Sequence, residues 1–493
     1  MKIFFIIIGV LLVSCQTNTS KSQDEVIRPP KEFDTIRNEI INLVKEEKTP
    51  SFSVAVVQNG SIIWKESFLK TTDSLEFQIL PDSQYPIASL SKSITATLIM
   101  KLVESGNMSL DDPVEQYLPN KLTFYNKRRY SIRELLNMTA GIPHGWIFLN
   151  SNTTFASEAS NQDWITKYGI STLPKGTYEY SNYSYGILEA IIEKASGKPY
   201  HQVLEEEIFN PLNMVNSYVS SENANKSKFS NPIRDVGNPS IFIPSAGAGT
   251  FSNLNDLILY ARHNLKEKGK TILNSDLIDS LHYSKTNASS ITALGWGSIN
   301  IDDDTTWLVS NGSFPKSANS NLTIIPEKNI AVICLANKDY QSSADIQAIK
   351  IADVLVTGFA KKAFSKIEAY EANNSTPLNT NIMNGNSWEG YIHIGSEKYP
   401  MHFTFESDNL YFSFNQNKKQ KIQHLNIDAQ LILRGSANIL VKNPLTEKSE
   451  TTNGNMNLLL SENKLQGHFS ALFRKDNEYD IALPFYIEAE KIN

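Results

Sequence analysis

Residues 87–93 read Ile-Ala-Ser-Leu-Ser-Lys-Ser, so that a serine is followed three positions later by a lysine. An apolar approach over 85–88 precedes the pair, and a helix is predicted over 89–106. On a helix this spacing puts the amine of Lys92 on the same face as the hydroxyl of Ser89 and within reach of it. Because a serine hydroxyl is a weak nucleophile that needs such a neighbour, the stretch predicts a nucleophile and its activating base.

The spacing alone is not specific, because the chain is rich in serine and lysine. It recurs at Ser67/Lys70, Ser313/Lys316 and Ser461/Lys464. A second element, Tyr180-Ser181-Asn182, adds specificity, since none of the other nineteen tyrosines has an asparagine two positions later. A tyrosine near an ammonium group can act as a base, and an asparagine can donate to a substrate carbonyl. The alternative interpretation is a turn in which Asn182 caps a helix predicted over 183–196.

Several further stretches accompany these two in order along the chain. They are Leu110-Asp111-Asp112-Pro113-Val114, Leu135-Leu136-Asn137-Met138-Thr139-Ala140-Gly141-Ile142, Pro174-Lys175-Gly176-Thr177, Ala246-Gly247-Ala248-Gly249 and Leu294-Gly295-Trp296-Gly297. With them, residues 33–360 resemble the serine β-lactamase and penicillin-binding-protein superfamily. The resemblance is closest to the branch related to class C β-lactamases, which includes D-amino-acid peptidases and esterases. It implies a serine hydrolase that cleaves an amide or ester bond through an acyl-enzyme.

The resemblance implies a role for each matching residue. Ser89 matches the acylated nucleophile, Lys92 the lysine that helps to activate it, and Tyr180 the tyrosine of the proton-transfer pair. Asn182 matches the amide that holds the substrate. The oxyanion hole of the family uses two backbone N–H groups, which here would belong to Ser89 and Ser313. Fixed donors of that kind are typically worth ~3 kcal/mol each to the transition state.

The third motif departs from the family pattern. Where the branch has Lys-Thr-Gly or His-x-Gly, this chain has Ser310-Asn311-Gly312-Ser313, of which Ser310, Gly312 and Ser313 are the predicted substrate-binding residues. Gly312 keeps the close backbone approach, but Ser310 replaces the cation or imidazole. Recognition of a substrate carboxylate therefore loses a charge-assisted bond, which weakens the case for β-lactam or D-Ala-D-Ala cleavage. His144 either lines the cleft and compensates, or lies in a surface loop.

The order of predicted elements indicates the fold class. An Asn59-Gly60 turn joins two apolar runs into a hairpin, and strands return late, at 321–325 and 330–335. The other predicted helices are one capped by Ser131 and Glu134 and those at 254–265 and 344–360. We expect an α+β sandwich in which an antiparallel sheet, built from both ends of this block, is flanked by helices and interrupted by an all-helical insertion.

Alternating apolar runs from about residue 371, such as Met401, Phe403 and Phe405, predict a separate C-terminal all-β domain, either a barrel or a sandwich. We expect four segments in all. They are a signal peptide at 1–15, a tether at 16–32, a serine hydrolase domain at 33–366 and a β-rich domain at 367–493. No site chemistry is predicted for the last of these.

Composition excludes several classes of function. The chain has 493 residues, and its 52 acidic against 46 basic residues give a net charge of −6, so nucleic acid is not expected as a partner. Two cysteines cannot build a disulfide framework or a cysteine-rich zinc site, and the eight histidines form no HExxH pair. We expect no metal and no cofactor, and a small molecule or peptide as substrate. The sequence carries no signal for an oligomeric state.

The N-terminus resembles an export signal. Residues 3–13 are an apolar run of 11 residues, too short to span a membrane but typical of a signal peptide. Leu12-Val13-Ser14-Cys15 resembles the lipobox of bacterial lipoproteins, in which the cysteine is lipidated, so we expect an envelope lipoprotein anchored by Cys15, periplasmic or surface-exposed. The alternative is an ordinary secretory signal. Cys334, in an apolar run, is expected to be a buried hydrophobic side chain.

Three hypotheses for the function follow, the last of which is a purely structural envelope lipoprotein. The first is the serine hydrolase with a Ser89 acyl-enzyme. The second is an envelope lipoprotein that binds ligands on the same fold with a degraded active site. The altered third motif favours the second hypothesis, and the intact first two motifs favour the first.

Overall fold

The structure is a computed structural model that describes most of the chain after residue 25. The described residues are 26–46, 48–69, 83–118, 129–149, 173, 176–219, 241–243, 245–283, 291–314, 318–337, 342–374, 383–394, 397–415, 418–428, 430–443, 448–475 and 479–492. The predicted signal peptide, Cys15 and most of the predicted tether lie outside them.

A six-stranded antiparallel sheet forms the centre of the N-terminal region. In spatial order its strands are Ser61–Leu69 (β2), Ser51–Gln58 (β1), Ile330–Asn337 (β11), Ala318–Ile325 (β10), Thr305–Phe314 (β9) and Gly297–Asp302 (β8). Strand β1 pairs with β11 along its whole length, from Ser51 opposite Asn337 to Gln58 opposite Ile330. The two ends of this region therefore form one sheet, as predicted.

The hairpin and the apolar inner strands explain how the sheet is built. Asn59 and Gly60 both have positive φ, 51° and 76°, as a type I′ turn between β1 and β2 requires. Strands β10 and β11 are buried at every position, so both faces of the sheet need a cover of helices.

Ten α-helices surround this sheet within the described residues. They are Asp34–Lys45 (α1), Ser91–Glu104 (α2), Ile132–Leu136 (α3), Asn182–Ser196 (α4), Tyr200–Leu204 (α5), Ser245–Ala248 (α6), Leu254–Asn264 (α7), Ser275–Tyr283 (α8), Ser343–Leu355 (α9) and Phe359–Asn374 (α10). Helices α1 and α9 pack on one face of the sheet, and α2 and α7 share the core on the other face. None of these helices is both long and apolar enough to cross a membrane. The predicted class, an antiparallel sheet flanked by helices, is confirmed.

Most predicted helices are found with small differences at their ends. The helix predicted over 89–106 begins as a 3-10 turn, Ala88–Leu90, and continues as α2. Ser131 and Glu134 form the predicted capping box ahead of α3, and Gly197 ends α4 with a φ of 71°. The single helix predicted over 344–360 is wrong, because the chain becomes extended at Val356 and Gly358 adopts a φ of 78°, which separates α9 from α10.

The C-terminal region is an all-β, nearly closed barrel. In spatial order its strands are Gln420–Lys421 (β15), Asn409–Phe414 (β14), Glu397–Glu406 (β13), Ser387–Ile394 (β12), Tyr479–Lys491 (β20), Lys464–Lys475 (β19), Ser449–Leu460 (β18), Ile432–Lys442 (β17) and Gln423–Ile427 (β16). The alternating side chains of Met401, Phe403 and Phe405 are buried in its core. The predicted domain boundary between residues 366 and 367 falls inside α10 and stays a prediction.

Two short strands from the N-terminal region join the barrel. Trp146–Leu149 (β4) pairs with the first part of β20 and with Ile241–Ile243 (β6). Three more strands, Tyr85–Pro86 (β3), Tyr218–Val219 (β5) and Thr250–Ser252 (β7), form a separate small sheet. The region between β2 and β8 is thus mostly helical with five short strands, and part of it is built into the sheet of the barrel.

Candidate active site

Ser89 lies in the 3-10 turn that leads into α2. Its neighbour Ala88 has a φ of 46°, a left-handed conformation that strains an alanine. Hydrogen bonds on both sides hold the turn: Ser320 Oγ donates to the Ile87 carbonyl at 2.7 Å, and Ser91 Oγ donates to the Ala88 carbonyl at 2.6 Å. The backbone of the predicted nucleophile is therefore fixed by its surroundings.

Lys92 is buried next to Ser89, one helical turn further along the chain. Its Nζ donates to Ser89 Oγ at 3.1 Å, to Asn182 Oδ1 at 2.6 Å and to the Gly247 carbonyl at 2.7 Å. Three acceptors match the three protons of an ammonium group. Burial lowers the pKa of Lys92, and the interaction with Tyr180 opposes that shift to a smaller extent.

Tyr180 reaches the same serine from the other side. Its hydroxyl lies 2.7 Å from Ser89 Oγ, and its ring centre lies 4.9 Å from Lys92 Nζ. Ser181, not Asn182, caps α4, because Ser181 Oγ accepts a hydrogen bond from the Ser184 N–H at 3.0 Å. Ser181 therefore caps the helix, while Tyr180 reaches Ser89 and Asn182 reaches Lys92.

Strand β9 passes close to the turn that carries the serine. A Cβ on Gly312 would lie 2.3 Å from the Ile87 carbonyl oxygen and 2.5 Å from Ser89 N, so a larger residue does not fit here. Ser310 is buried and its Oγ donates to Ser93 Oγ at 3.0 Å, whereas Ser313 is exposed. The pairing of the Ser89 and Ser313 N–H groups as an oxyanion hole stays a prediction.

A cavity of about 360 Å³ opens beside Ser89 and Lys92. Its apolar lining includes Trp296, Ile299, Trp307, Val309 and Ile349.

One carboxylate, that of Asp345, also lines this cavity. It accepts hydrogen bonds from Asn311 Nδ2 at 3.0 Å, Asn321 Nδ2 at 2.8 Å and Asn319 Nδ2 at 2.9 Å. The cleft next to the third motif therefore carries an acidic side chain held by three neutral amides.

His144 packs behind Tyr180 and supplies no positive charge. The two ring centres are 5.0 Å apart, and the His144 ring also contacts Trp146 at 4.6 Å. Burial, together with the charge of Lys92, lowers the pKa of His144 to about 3. The ring is thus neutral at neutral pH, so it does not replace the missing cation of the third motif.

Comparison with known proteins gives the family of the chain. A family model described as Beta-lactamase matches residues 36–356, well over half of the chain and the whole region of the site. The chain belongs to the Beta-lactamase family.

Individual relatives of this Beta-lactamase-family chain agree with that assignment. A penicillin-binding protein of Bacillus subtilis (strain 168) is 33% identical over 167 residues, which are 33% of this chain and 36% of the relative. The chain thus spans well under half of the length of that relative.

Solved structures with 20–21% identity share the fold. A penicillin-binding protein homologue from Pyrococcus abyssi, described as octameric, has a TM-score of 0.53 and 20% identity; the match covers 92% of this chain and 99% of that one. A β-lactamase/D-alanine carboxypeptidase from Yersinia pestis, complexed with citrate, has a TM-score of 0.52 and 21% identity, over 66% of this chain and 98% of that one.

The structure thus brings together six of the predicted residues of this Beta-lactamase-family site: Ser89, Lys92, Tyr180, Asn182, Gly312 and Ser310, the last of which also lines the cavity. The sequence analysis did not single out Gly247 or Asp345. Gly247 lies inside Ala246-Gly247-Ala248-Gly249, one of the stretches that carried the resemblance. Its place in that stretch could have indicated that it lies near the site. Asp345 is 34 positions from Asn311 and had no sequence signal.

Within the described residues, no group of three or more His, Cys, Asp or Glu side chains is placed to hold a metal ion. Cys334 is buried, as predicted, and burial raises the pKa of its thiol well above the ordinary value.

Proposed function

We propose that the protein is a serine hydrolase of the branch related to class C β-lactamases, which cleaves an amide or ester bond through a Ser89 acyl-enzyme. One observation carries the proposal: the Ser89 hydroxyl has the Lys92 amine at 3.1 Å and the Tyr180 hydroxyl at 2.7 Å. A nucleophile within hydrogen-bonding distance of its base is the arrangement that covalent catalysis needs.

In the proposed mechanism Ser89 Oγ attacks the substrate carbonyl while its proton passes to the oxygen of Tyr180. This step needs Tyr180 as the phenolate, a form that the ammonium of Lys92 beside it would stabilise. Tyr180 then gives the proton to the leaving group, the carbonyl bond to that group breaks, and the acyl-enzyme remains. A water molecule attacks the acyl-enzyme with the same tyrosine as base, which releases the acid and restores Ser89.

Asn182 and the third motif would hold the substrate. Asn182 Oδ1 accepts from Lys92, so its NH₂ group is left to donate to a substrate carbonyl. A side chain on Gly247 would come within 3.2 Å of Asn182 Oδ1, which explains a glycine at this position. The Ser89 and Ser313 N–H groups are the proposed oxyanion donors.

Covalent labelling tests this function against the alternative of a degraded binding lipoprotein. A fluorophosphonate and a fluorescent penicillin should be compared, with peptide mass spectrometry to find the modified residue. We expect the fluorophosphonate adduct on Ser89 and none in Ser89→Ala. A folded wild-type protein that reacts with neither probe would support the binding protein instead.

We predict that the enzyme prefers neutral esters or amides to substrates with a carboxylate beside the scissile bond. A bond to a charged group is worth ~1.5–3 kcal/mol, against ~1 kcal/mol for a neutral one. Ser310 has no charge, and its hydroxyl already donates to Ser93 Oγ. The carboxylate of Asp345 in the same cavity adds repulsion. Ser310→Lys should therefore raise kcat/KM for penicillins and other carboxylate-bearing substrates roughly 5- to 30-fold, the equivalent of ~1–2 kcal/mol.

The matched control for this prediction is a neutral ester of the same acyl group, whose kcat/KM should change little in Ser310→Lys. Steady-state kinetics on the two substrates gives both values. Wild-type turnover of penicillins equal to that of neutral esters would contradict the prediction.

We propose further that Cys15 is lipidated and that residues 16–32 tether a hydrolase domain, 33–366, and a β-rich domain, 367–493, to an envelope membrane. The support is the lipobox-like sequence Leu12-Val13-Ser14-Cys15. Cys15→Ala should leave the precursor unprocessed or move the protein out of the membrane fraction, as seen by fractionation and intact-mass measurement. Unchanged processing and membrane association would show that the anchor proposal is wrong.

A further inference from the structure

Glu179, the residue before Tyr180, is bound by side chains of the C-terminal barrel. Arg434 on β17 donates from Nη1 to Glu179 Oε2 at 3.0 Å. Asn457 on β18 donates from Nδ2 to Glu179 Oε1 at 2.8 Å. The glutamate side chain is only 10% exposed, so these bonds form a largely buried link between the two regions of the chain.

Arg434 balances the charge of this buried carboxylate. Burial raises the pKa of Glu179, and the contacts with Arg434 and Asn457 lower it. His468 Nε2 lies 3.8 Å from the same carboxylate, but burial lowers the pKa of His468 to about 3, so the imidazole is neutral near pH 7. Among the described residues, the positive charge beside Glu179 is therefore that of Arg434, which also lies 3.8 Å from Asp428.

Other contacts join the barrel to the segments on both sides of Tyr180. Thr177 Oγ1 donates to Gln430 Oε1 at 3.1 Å. Ser470 Oγ donates to the carbonyl of His144 at 3.2 Å, and the His144 ring packs against Tyr180. The backbone pairing of β4 with β20 continues this contact.

We propose that the barrel positions Tyr180 for proton transfer, with Arg434 and Asn457 as positioning residues that act through Glu179. The inference rests on the proposed hydrolase function. Without Arg434 the buried carboxylate of Glu179 loses its counter-charge. An uncompensated buried charge strongly destabilises the folded state around it. Glu179 would then turn towards water and draw the adjacent Tyr180 away from Ser89, and small displacements of a catalytic group cost large factors in rate.

Two measurements on Arg434→Met test this role. The first is amide hydrogen exchange of residues 176–183, which we expect to be about tenfold faster than in the wild type because the buried pair is broken. The second is the acylation of Ser89 by a fluorophosphonate. Its maximal rate should fall about tenfold while the half-saturating concentration changes little, since the tyrosine and not the binding cleft is displaced.

Further variants separate positioning from a general loss of stability. Arg434→Lys keeps the charge and should recover part of the acylation rate. Glu179→Gln combined with Arg434→Met removes the uncompensated charge. The double variant should therefore be acylated faster than Arg434→Met alone. Lys464→Met breaks another barrel ion pair, with Glu490 at 3.1 Å, and should match the wild type in both measurements.

The outcomes distinguish a failure of the positioning role of the barrel from a failure of the proposed hydrolase function. Wild-type hydrogen exchange in Arg434→Met would overturn the inference, and so would faster exchange with an unchanged acylation rate. If exchange becomes faster but even the wild-type protein is never acylated, the hold of the barrel on this segment is supported and the hydrolase function is what fails.

Discussion

Ser89→Ala is expected to lose at least about 10³-fold, and up to about 10⁶-fold, in kcat on every ester or amide that the wild-type protein cleaves. The reason is that Lys92 and Tyr180 both direct their polar atoms at Ser89 Oγ and have no other nucleophile to activate. Residual turnover would come from binding and the oxyanion donors alone.

The fold should survive this change. The bonds that hold the turn come from Ser320 and Ser91, and the Ser89 side chain takes no part in them. Steady-state kinetics with a thermal unfolding curve for each variant is the measurement. Ser105→Ala, at the far end of α2, is the matched control and should keep wild-type activity. Wild-type rates in Ser89→Ala would show that the nucleophile is misassigned.

Lys92→Met is expected to lower kcat/KM by about 10²- to 10⁴-fold, the range of general acid–base groups. Methionine keeps a similar length but has no charge to stabilise Tyr180. It also leaves Asn182 Oδ1 and the Gly247 carbonyl without their donor, which costs roughly 1–3 kcal/mol of folding free energy for each buried acceptor. Activity and unfolding should therefore both change.

Lys101→Met is the control, because Lys101 lies on the same helix but pairs with Glu104 at 2.8 Å and with the Ile272 carbonyl at 3.0 Å instead of with Ser89. It should affect neither kcat/KM nor unfolding strongly. A Lys92→Met enzyme with more than about a tenth of wild-type kcat/KM would rule out the proposed role of this lysine in stabilising Tyr180 as the base, given the expected range.

The pH dependence of unfolding gives a second test of Lys92. Burial lowers the pKa of Lys92 from its ordinary value of 10.5, so the unfolded chain binds more protons than the native protein just below that pH. This group therefore makes the free energy of unfolding rise with pH between the lowered pKa and 10.5. Below the lowered pKa both states are protonated, and the contribution no longer changes with pH. The rise should be smaller in Lys92→Met than in the wild type.

Local sequence signals were sufficient for several elements of the N-terminal region. Asn59-Gly60 indicated the β1–β2 hairpin, and Ser131 with Glu134 indicated the cap of α3, because turns and caps depend on a few adjacent residues. That both ends of this block contribute to one sheet could be predicted, because apolar strand patterns occur at each end; the direct pairing of β1 with β11 was not predicted. The helix break at Gly358 was overlooked although a glycine there was a local signal.

Contacts between distant segments could not be predicted in the same way. Glu179 and Arg434 are 255 positions apart. In the sequence alone, neither residue can be distinguished from an ordinary charged residue on the surface. Residues 146–149 are too few to show an alternating pattern, so their pairing with β20 had no visible sign. These contacts arise only when the barrel packs against the rest of the chain.

The pairing of β1 with β11 also determines when the central sheet can be completed. Ser51 and Asn337 are bonded across 286 positions of sequence. At the usual synthesis rate of about 5–20 residues per second, β11 follows β1 from the ribosome by roughly 15–60 s. During that interval the hairpin of β1 and β2 has an open apolar edge, the kind of surface on which nascent chains aggregate. Completion of the six-stranded sheet therefore depends on strands that are synthesised late, among them β11 as the partner of β1.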